Sequence, residues 1–225
     1  MVLRAVLFDF DGVLVNSEPL HFAALRDALA PEGIVIDEPE YARTYLAYDD
    51  WEASRIALAR HGLSHDSERV SVVAARKATL FEQMLAHIPL FPGARDLVLS
   101  LSAEYPLAIA SGARHCEIES MLLSAGLLKA FAAIVGADDV SSTKPHPEPY
   151  LAAMARLAPR APGILPSECL VVEDSMAGIA SGLAAGMKVV AVAHSYTPEK
   201  LAAAHRVVPS LDGLAVRDMQ SLFAE

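Results

Sequence analysis

The chain is short of cysteine, of clustered basic residues and of long uninterrupted apolar runs, and each shortage excludes a class of protein. Its two cysteines, Cys116 and Cys169, stand far apart and form no CxxC pair, so neither a disulfide framework nor a zinc site is indicated and both read as reduced thiols. Lysine and arginine number 18 against 28 acids, a formal charge of −10. They form no dense block, so the electrostatic footprint of a nucleic-acid binder is missing and small ligands are expected instead. The opening stretch MVLRAVLFDFDGVLV is apolar but is broken by Asp9 and Asp11. It has no small-residue cleavage pattern, so neither a signal peptide nor a membrane span is expected, and a cytoplasmic location follows by default. There is no internal repeat, and alanine enrichment is the main compositional bias. What is present is 225 residues, 53% of them hydrophobic and 20% charged, enough to bury a core in one large domain or one domain with an insert. A monomer or weak dimer is expected.

Short apolar runs rich in Val, Ile and Leu recur at Ala5 to Phe10, Leu107 to Ala110, Ala132 to Val135, Cys169 to Val172 and Lys188 to Val192, with a last candidate at Arg206 to Val208. They are continuous rather than alternating, as expected of strands buried on both faces of a parallel sheet. Stretches of helical period lie between them, at Arg114 to Ala125, Pro147 to Leu157, Met176 to Ala185 and Pro198 to Ala204. The alternation predicts an α/β fold, a Rossmann-like doubly wound parallel sheet, whose ligand site lies beyond the carboxyl ends of the strands.

One region breaks the alternation. From about Ser17 to Ile88 there is no strand-like run, only helical ones at Pro19 to Leu29, Asp50 to His61 and Ser67 to His87. It reads as a helical cap domain over residues 17–88, inserted into a core made of 1–16 and 89–225. The flanks Asn16-Ser17-Glu18-Pro19 and Ile88-Pro89-Leu90-Phe91-Pro92-Gly93 are hinge candidates, because Pro and Gly punctuate them.

Polar residues gather just after the expected strands: Asp9, Asp11 and Gly12 after the first, Ser111 and Gly112 after the second, Lys144 in the loop beyond the third, and Glu173, Asp174 and Ser175 after the fourth. Alone, Asp11-Gly12 is an ordinary turn and a strand-end Asp an ordinary helix cap. Together, Asp9, Asp11, Glu173 and Asp174 would converge on one sheet edge, where carboxylates repel one another unless a cation intervenes. An all-oxygen donor set suits Mg²⁺. Lys144 would neutralise phosphate charge. Ser111 would donate to it, with the backbone N–H of Gly112 expected at the start of the following helix. Asp9 as nucleophile would give an aspartyl-phosphate, and Asp11 would protonate the leaving oxygen and later deprotonate water. The metal, Lys144 and Ser111 would stabilise the transferring phosphoryl group.

DFDGVLVNSEPLH (Asp9 to His21), ASG (Ala110 to Gly112), KPHPEPY (Lys144 to Tyr150) and VVEDSMAGI (Val171 to Ile179) resemble, in order and spacing, the four motifs of haloacid dehalogenase superfamily phosphatases. The resemblance covers the whole core. It is to the helical-cap branch that contains β-phosphoglucomutase and phosphoglycolate-phosphatase-like enzymes. It implies a Mg²⁺-dependent phosphoric monoester hydrolase acting on a small phosphorylated metabolite. In it Asp9 is nucleophile and metal ligand, Asp11 acid/base and backbone-carbonyl ligand, and Asp174 a direct ligand. Glu173 holds metal-bound water, while Ser111, Gly112 and Lys144 bind phosphate. The second Asp sets the chain apart from the dehalogenases that name the superfamily. The absence of lysine between Asp9 and Arg76 sets aside phosphonate hydrolysis by a cap lysine. A phosphomutase of the β-phosphoglucomutase type is the alternative. Those mutases carry a basic residue in the cap loop where this chain has Asp50, which favours hydrolysis.

Further candidates keep two readings. His21 could touch Asp11 or substrate, or be an ordinary packed histidine. Asp50 and Arg114 are candidate substrate contacts, although Arg114 could equally be a solvated charge in the first turn of a helix. Ser17 reads as a helix cap, and Asp49 and Trp51 as either substrate-facing or structural. His61 and His65 make a poor metal pair, since Gly62 intervenes.

Overall fold

A strand without a polar face must be covered on both sides, and the apolar runs of the sequence are disposed accordingly in the computed structural model, which describes residues 2–46, 48–85 and 89–224. Six parallel strands form one sheet: β1 (Ala5–Phe8), β2 (Leu107–Ala110), β3 (Phe131–Val135), β4 (Cys169–Glu173), β5 (Lys188–Val192) and β6 (Arg206–Val208), in the order β3-β2-β1-β4-β5-β6. β1, β2 and β4 are buried along their whole length. The chain moves outward from β1 through β2 to β3, then crosses back to β4 on the other side of β1. That reversal makes the carboxyl ends of β1 and β4 the switch point of the sheet, where ligand sites of such folds open. Pairing of Phe8 with Val172 sets Asp9 level with Glu173.

The chain divides into two compact units, Met1–Asn16 with Pro89–Glu225, and Ser17–Ile88. In the first, the sheet is flanked by α5 (Ala94–Ser102), α6 (His115–Ser124), α7 (Glu148–Arg156) and α8 (Met176–Ala184), and α9 (Val216–Gln220) follows β6. Leu7, Ala108, Val171, Ile179, Val189 and Leu201 belong to one buried cluster of this unit. The second unit holds α1 (Glu18–Leu29), α2 (Glu38–Thr44), α3 (Asp50–Arg60) and α4 (Ser67–Met84) around Leu29, Ile34, Tyr45, Leu58, Val70 and Val73. Three of its helices start on an aspartate that accepts a backbone N–H three residues on: Asp37 from Glu40, Asp49 from Glu52 and Asp66 from Arg69, at 2.7–2.9 Å.

Several expectations on local structure are corrected. β1 stops at Phe8 rather than Phe10, because the chain turns into a tight loop closed by Leu14 and Val15 donating to the Phe10 carbonyl. Pro198 to Ala204 forms successive turns, not a helix. α2, α5 and α9 had no counterpart in the reading of the sequence; α2 and α9 are too short for a period to show. α4 ends at Met84, and residues 86–88, with the hinge proposed at Ile88, lie outside the described residues. Ser17 precedes α1 without a side-chain capping bond to it, and Pro19 in the first turn takes over part of that role. Among the described residues no helix is long and apolar enough to cross a membrane.

Candidate active site

The backbone of β1 and β4 decides where the acids go. Asp9 N–H donates to the Val172 carbonyl at 2.9 Å, carrying the strand pairing one residue past β1, so that Asp9 leaves the sheet beside Glu173 and Asp174. Carboxylate oxygens of these three residues lie within 4.8 Å of one another. All three are buried, with Asp9 8%, Glu173 0% and Asp174 5% exposed.

Lys144 is the cation that reaches them. Its Nζ donates to Asp9 Oδ1 and to Glu173 Oε1, each at 2.7 Å, and rests over the Tyr150 ring at 4.8 Å. Glu173 is saturated. Oε1 also accepts from Tyr150 Oη at 2.9 Å, and Oε2 accepts from the backbone N–H of Asp174 and Ser175 and from Ser175 Oγ at 2.9–3.0 Å. A Cβ at Gly178 would overlap the Glu173 carboxylate, so glycine in the first turn of α8 is what lets Glu173 lie flat under the turn.

The three acids differ in consequence. Burial pushes the Asp9 carboxyl well up, Lys144 opposes this, and Glu173 and Asp174 reinforce it. Burial likewise raises Asp174 to about 6, partly offset by a hydrogen bond from Ser195. For Glu173 burial is again the largest influence, but Lys144 and the ring of donors outweigh it and the carboxyl is held below its ordinary value. One lysine among three buried carboxylates leaves excess negative charge. That deficit, with oxygen donors alone, fits a divalent hard cation held by Asp9 and Asp174, the two acids whose acceptor capacity is not exhausted. Mg²⁺ commonly takes one or two carboxylates and keeps waters and phosphate oxygens for the rest.

The remaining candidates fall in three places. Ser111 is buried directly after β2; its Oγ accepts from Ala113 N–H at 3.1 Å, leaving the hydroxyl proton to be donated elsewhere. Gly112 is not at a helix start, contrary to expectation. It lies in the loop before α6, whose N-cap is Arg114. Asp11 sits half-buried in the turn after β1, bridged to Val15. Its side chain is not among the three carboxylates that converge among the described residues. The Arg114 guanidinium is engaged by Glu117 on its own helix at 2.6–3.0 Å.

The helical unit has a polar cluster of its own. Lys77, 4% exposed, donates to Asp50 Oδ1 at 2.5 Å and lies 2.7 Å from His21 Nδ1. His21 stacks on Phe81 with ring centroids 4.0 Å apart, and Lys77 Nζ lies 4.8 Å from the same ring. His21 and Asp50 are thus joined by a lysine that reading the sequence overlooked. Lys77 stands one residue beyond the stretch without lysine, and the period of α4 marks only that it shares a face with Val70, Val73 and Phe81.

Two further residues escaped the sequence reading. Ser195 Oγ, in the loop after β5, donates to Asp174 Oδ2. His194 Nδ1 lies 2.9 Å from the Gly12 carbonyl, and its ring stacks on Phe91 at 3.9 Å. Nothing in the string Ala-His-Ser-Tyr-Thr signals such contacts.

A family profile described as haloacid dehalogenase-like hydrolase matches residues 6–192. The chain is 30% identical to Protein CbbY of Rhodobacter capsulatus, over 99% of this chain and 100% of that protein. It is 31% identical to fructose-1-phosphate phosphatase YqaB of Escherichia coli K12, over 83% of this chain and 95% of that one. A solved structure from Thermotoga maritima, assigned as a beta-phosphoglucomutase, superposes with a TM-score of 0.76 at 29% identity, covering 92% of this chain and 94% of the other.

Proposed function

The chain belongs to the haloacid dehalogenase-like hydrolases and is a phosphoric monoester hydrolase, and from that premise we propose that it is a Mg²⁺-dependent phosphatase of a small phosphorylated sugar or polyol, acting through an aspartyl-phosphate on Asp9. The observation that carries this reading is the convergence at the switch point of the sheet of Asp9, Glu173 and Asp174, whose carboxylate oxygens lie within 4.8 Å of one another, with Lys144 bonded to the first two. The name of the fructose-1-phosphate phosphatase supports the substrate class.

In this mechanism an Asp9 carboxylate oxygen attacks phosphorus and the ester bond breaks, the departing alkoxide taking a proton from Asp11. Asp11, now a carboxylate, accepts a proton from water as that water attacks the phosphorus of the acyl phosphate. Inorganic phosphate leaves and Asp9 is restored. Lys144 opposes the burial that raises the Asp9 carboxyl and offers charge to the equatorial oxygens, and Ser111 donates its hydroxyl proton to one of them. Glu173 holds Lys144 and the Asp174-Ser175 turn in place, a role its five donors support. Asp9 and Asp174 would hold Mg²⁺, which when bound supplies the positive charge that lets phosphate approach a carboxylate nucleophile.

The test compares wild type with Asp9→Asn, with Mg²⁺ and a panel of phosphorylated sugars and polyols, following phosphate release. Wild type is expected to turn over at least one member and Asp9→Asn to lose roughly 10⁴-fold or more; equal rates would remove Asp9 from the reaction. The second reading, a phosphomutase, is favoured by the Thermotoga maritima likeness. The pairing of Lys77 with Asp50 speaks for hydrolysis, since that lysine's charge is already matched. Incubation with β-glucose 1-phosphate separates the two: glucose 6-phosphate marks the mutase, free phosphate the phosphatase.

A further inference from the structure

A carboxylate that must hold a cation needs its own orientation held, and for Asp174 the structure points to a residue outside all four motifs. We propose that Ser195 is a positioning residue for the metal: its hydroxyl fixes the Asp174 carboxylate toward Asp9 and thereby sets the affinity for Mg²⁺. The inference rests on the reading of Asp174 as a metal ligand.

Two contacts converge on the Asp174 carboxylate. Ser195 Oγ donates to Oδ2. On another side lies Gly12, whose backbone comes so close that an added Cβ would overlap the same carboxylate and reach within 3.0 Å of Ser195 Oγ. Glycine is required there twice over, by this contact and by a φ of 77°. Ser195 is in turn located by what precedes it. Ala193 N–H donates to the Val208 carbonyl at 2.9 Å. His194 bonds the Gly12 carbonyl and stacks on Phe91, and Phe91 N–H donates to the Leu14 carbonyl at 3.0 Å. The loop after β5 is therefore clasped to the nucleophile loop after β1, with Asp174 between them.

A carboxylate has about four lone-pair positions, so one hydroxyl donor leaves room for a cation. What the donor removes is rotational freedom. Asp174 stands beside two other buried carboxylates, and in the absence of a fixed partner its side chain lowers repulsion by turning away from Asp9. Outer partners of ligating carboxylates commonly govern metal affinity by about 10–100-fold. Ser195 is itself solvent-exposed, so substituting it removes the hydroxyl without opening a cavity.

The experiment is calorimetric titration of the full chain, stripped with EDTA, with Mg²⁺ alone, for wild type, Ser195→Ala, Ser195→Thr and Asp174→Asn. The far-ultraviolet circular dichroism of each stripped protein is recorded alongside. Ser195→Ala is expected to bind Mg²⁺ about tenfold or more weakly with an unchanged spectrum, and Ser195→Thr, which keeps the hydroxyl, to stay within about threefold of wild type. The inference is overturned if Ser195→Ala binds as wild type does while Asp174→Asn does not, or if Ser195→Thr loses as much as Ser195→Ala. Should Ser195→Ala lose its spectrum, the threonine and Ser195→Gly variants carry the same comparison. Wild-type affinity in Asp174→Asn would instead show that the ligand assignment itself fails.

Discussion

At the carboxyl edge of the sheet three carboxylates and one lysine are packed together, whereas the helical unit sets several of its acids singly, at helix starts or opposite arginines. Asp37, Asp49 and Asp66 each cap a helix, and Glu32 accepts from Arg69 and Arg76 at 2.7–3.2 Å. A carboxylate of the helical unit and two of those at the edge, Asp9 and Asp174, have opposite energetic sign. Hydrogen bonding from Arg69, only partly opposed by burial, holds the Glu32 carboxyl below its ordinary range, so its ionisation stabilises the folded chain. Burial holds Asp9 and Asp174 above theirs, so their ionisation costs stability until a cation arrives. A site built to bind charge is thus a site that is destabilised without it, while the helical unit carries no such cost at Glu32.

The hardest blow to this contrast comes from removing the single lysine of the edge. Lys144→Ala is expected to lower kcat by roughly 10²–10³-fold and, by leaving Asp9 and Glu173 buried without their partner, to cost about 3–5 kcal/mol in urea unfolding. Its counterpart Arg69→Ala in the helical unit, where the side chain is 38% exposed, should cost about 1 kcal/mol or less and leave kcat unchanged. Similar costs for the two would erase the distinction.

The pH dependence of metal-free protein sharpens it. A carboxyl whose folded-state pKa is raised binds more protons folded than unfolded. Its contribution is therefore fully present below the unfolded value and is lost as pH rises through the folded one. For Asp174, raised from 3.8 to about 6, stability in EDTA should fall between pH 4 and 6 by roughly 2–3 kcal/mol from this group. Asp174→Asn should flatten that fall. Glu32 has the reverse sign: its contribution is present above its ordinary value and lost as pH drops through the lowered one, so Glu32→Gln should lose stability at pH 7 and progressively less as pH falls below the ordinary carboxylate range. Thermal unfolding across pH 2–7 reads both, and a wild-type slope unaltered by Asp174→Asn would contradict the burial argument.

Glycine substitutions give a smaller test. Gly178→Ala drives a methyl into the Glu173 carboxylate and should cost about 1–3 kcal/mol together with activity. Gly33→Ala, at φ 75° with open space around it, should cost about 1 kcal/mol from backbone strain alone, with kcat intact. The Asp50→Asn variant tests the helical unit's own cluster: Asp50 is 43% exposed but Lys77 only 4%, so an outcome of about 1 kcal/mol or less would mark a screened surface pair. If it costs several, the helical unit holds a buried charge cluster after all.

Much of the fold was legible because it is written in neighbouring residues. Runs such as Ala5–Phe8 and Cys169–Glu173 are continuous, short and bounded by polar residues, so they read as strands, and the acids that follow them leave the sheet at its carboxyl edge whatever lies elsewhere. Lys144 is legible for the same reason, as the loop residue after β3. Gly112 was misplaced because a glycine after a strand reads equally as loop or helix start; Asp138 and Asp139, binding His115, delay the helix. Lys77 was overlooked because an amphipathic period marks a face without saying which polar side chain is drawn into it.

The order and spacing of polar residues after apolar runs, all local properties of the chain, determined the α/β sheet, its family and the kind of chemistry to look for at its edge. Which hydroxyl meets Asp174, and which lysine joins His21 to Asp50, was decided by tertiary structure alone. Ser195 stands 21 residues from Asp174 and Lys77 56 residues from His21, and their contacts follow from strands and helices packing side by side. Packing obeys shape and burial summed over the whole unit, and no stretch of neighbouring residues contains that sum.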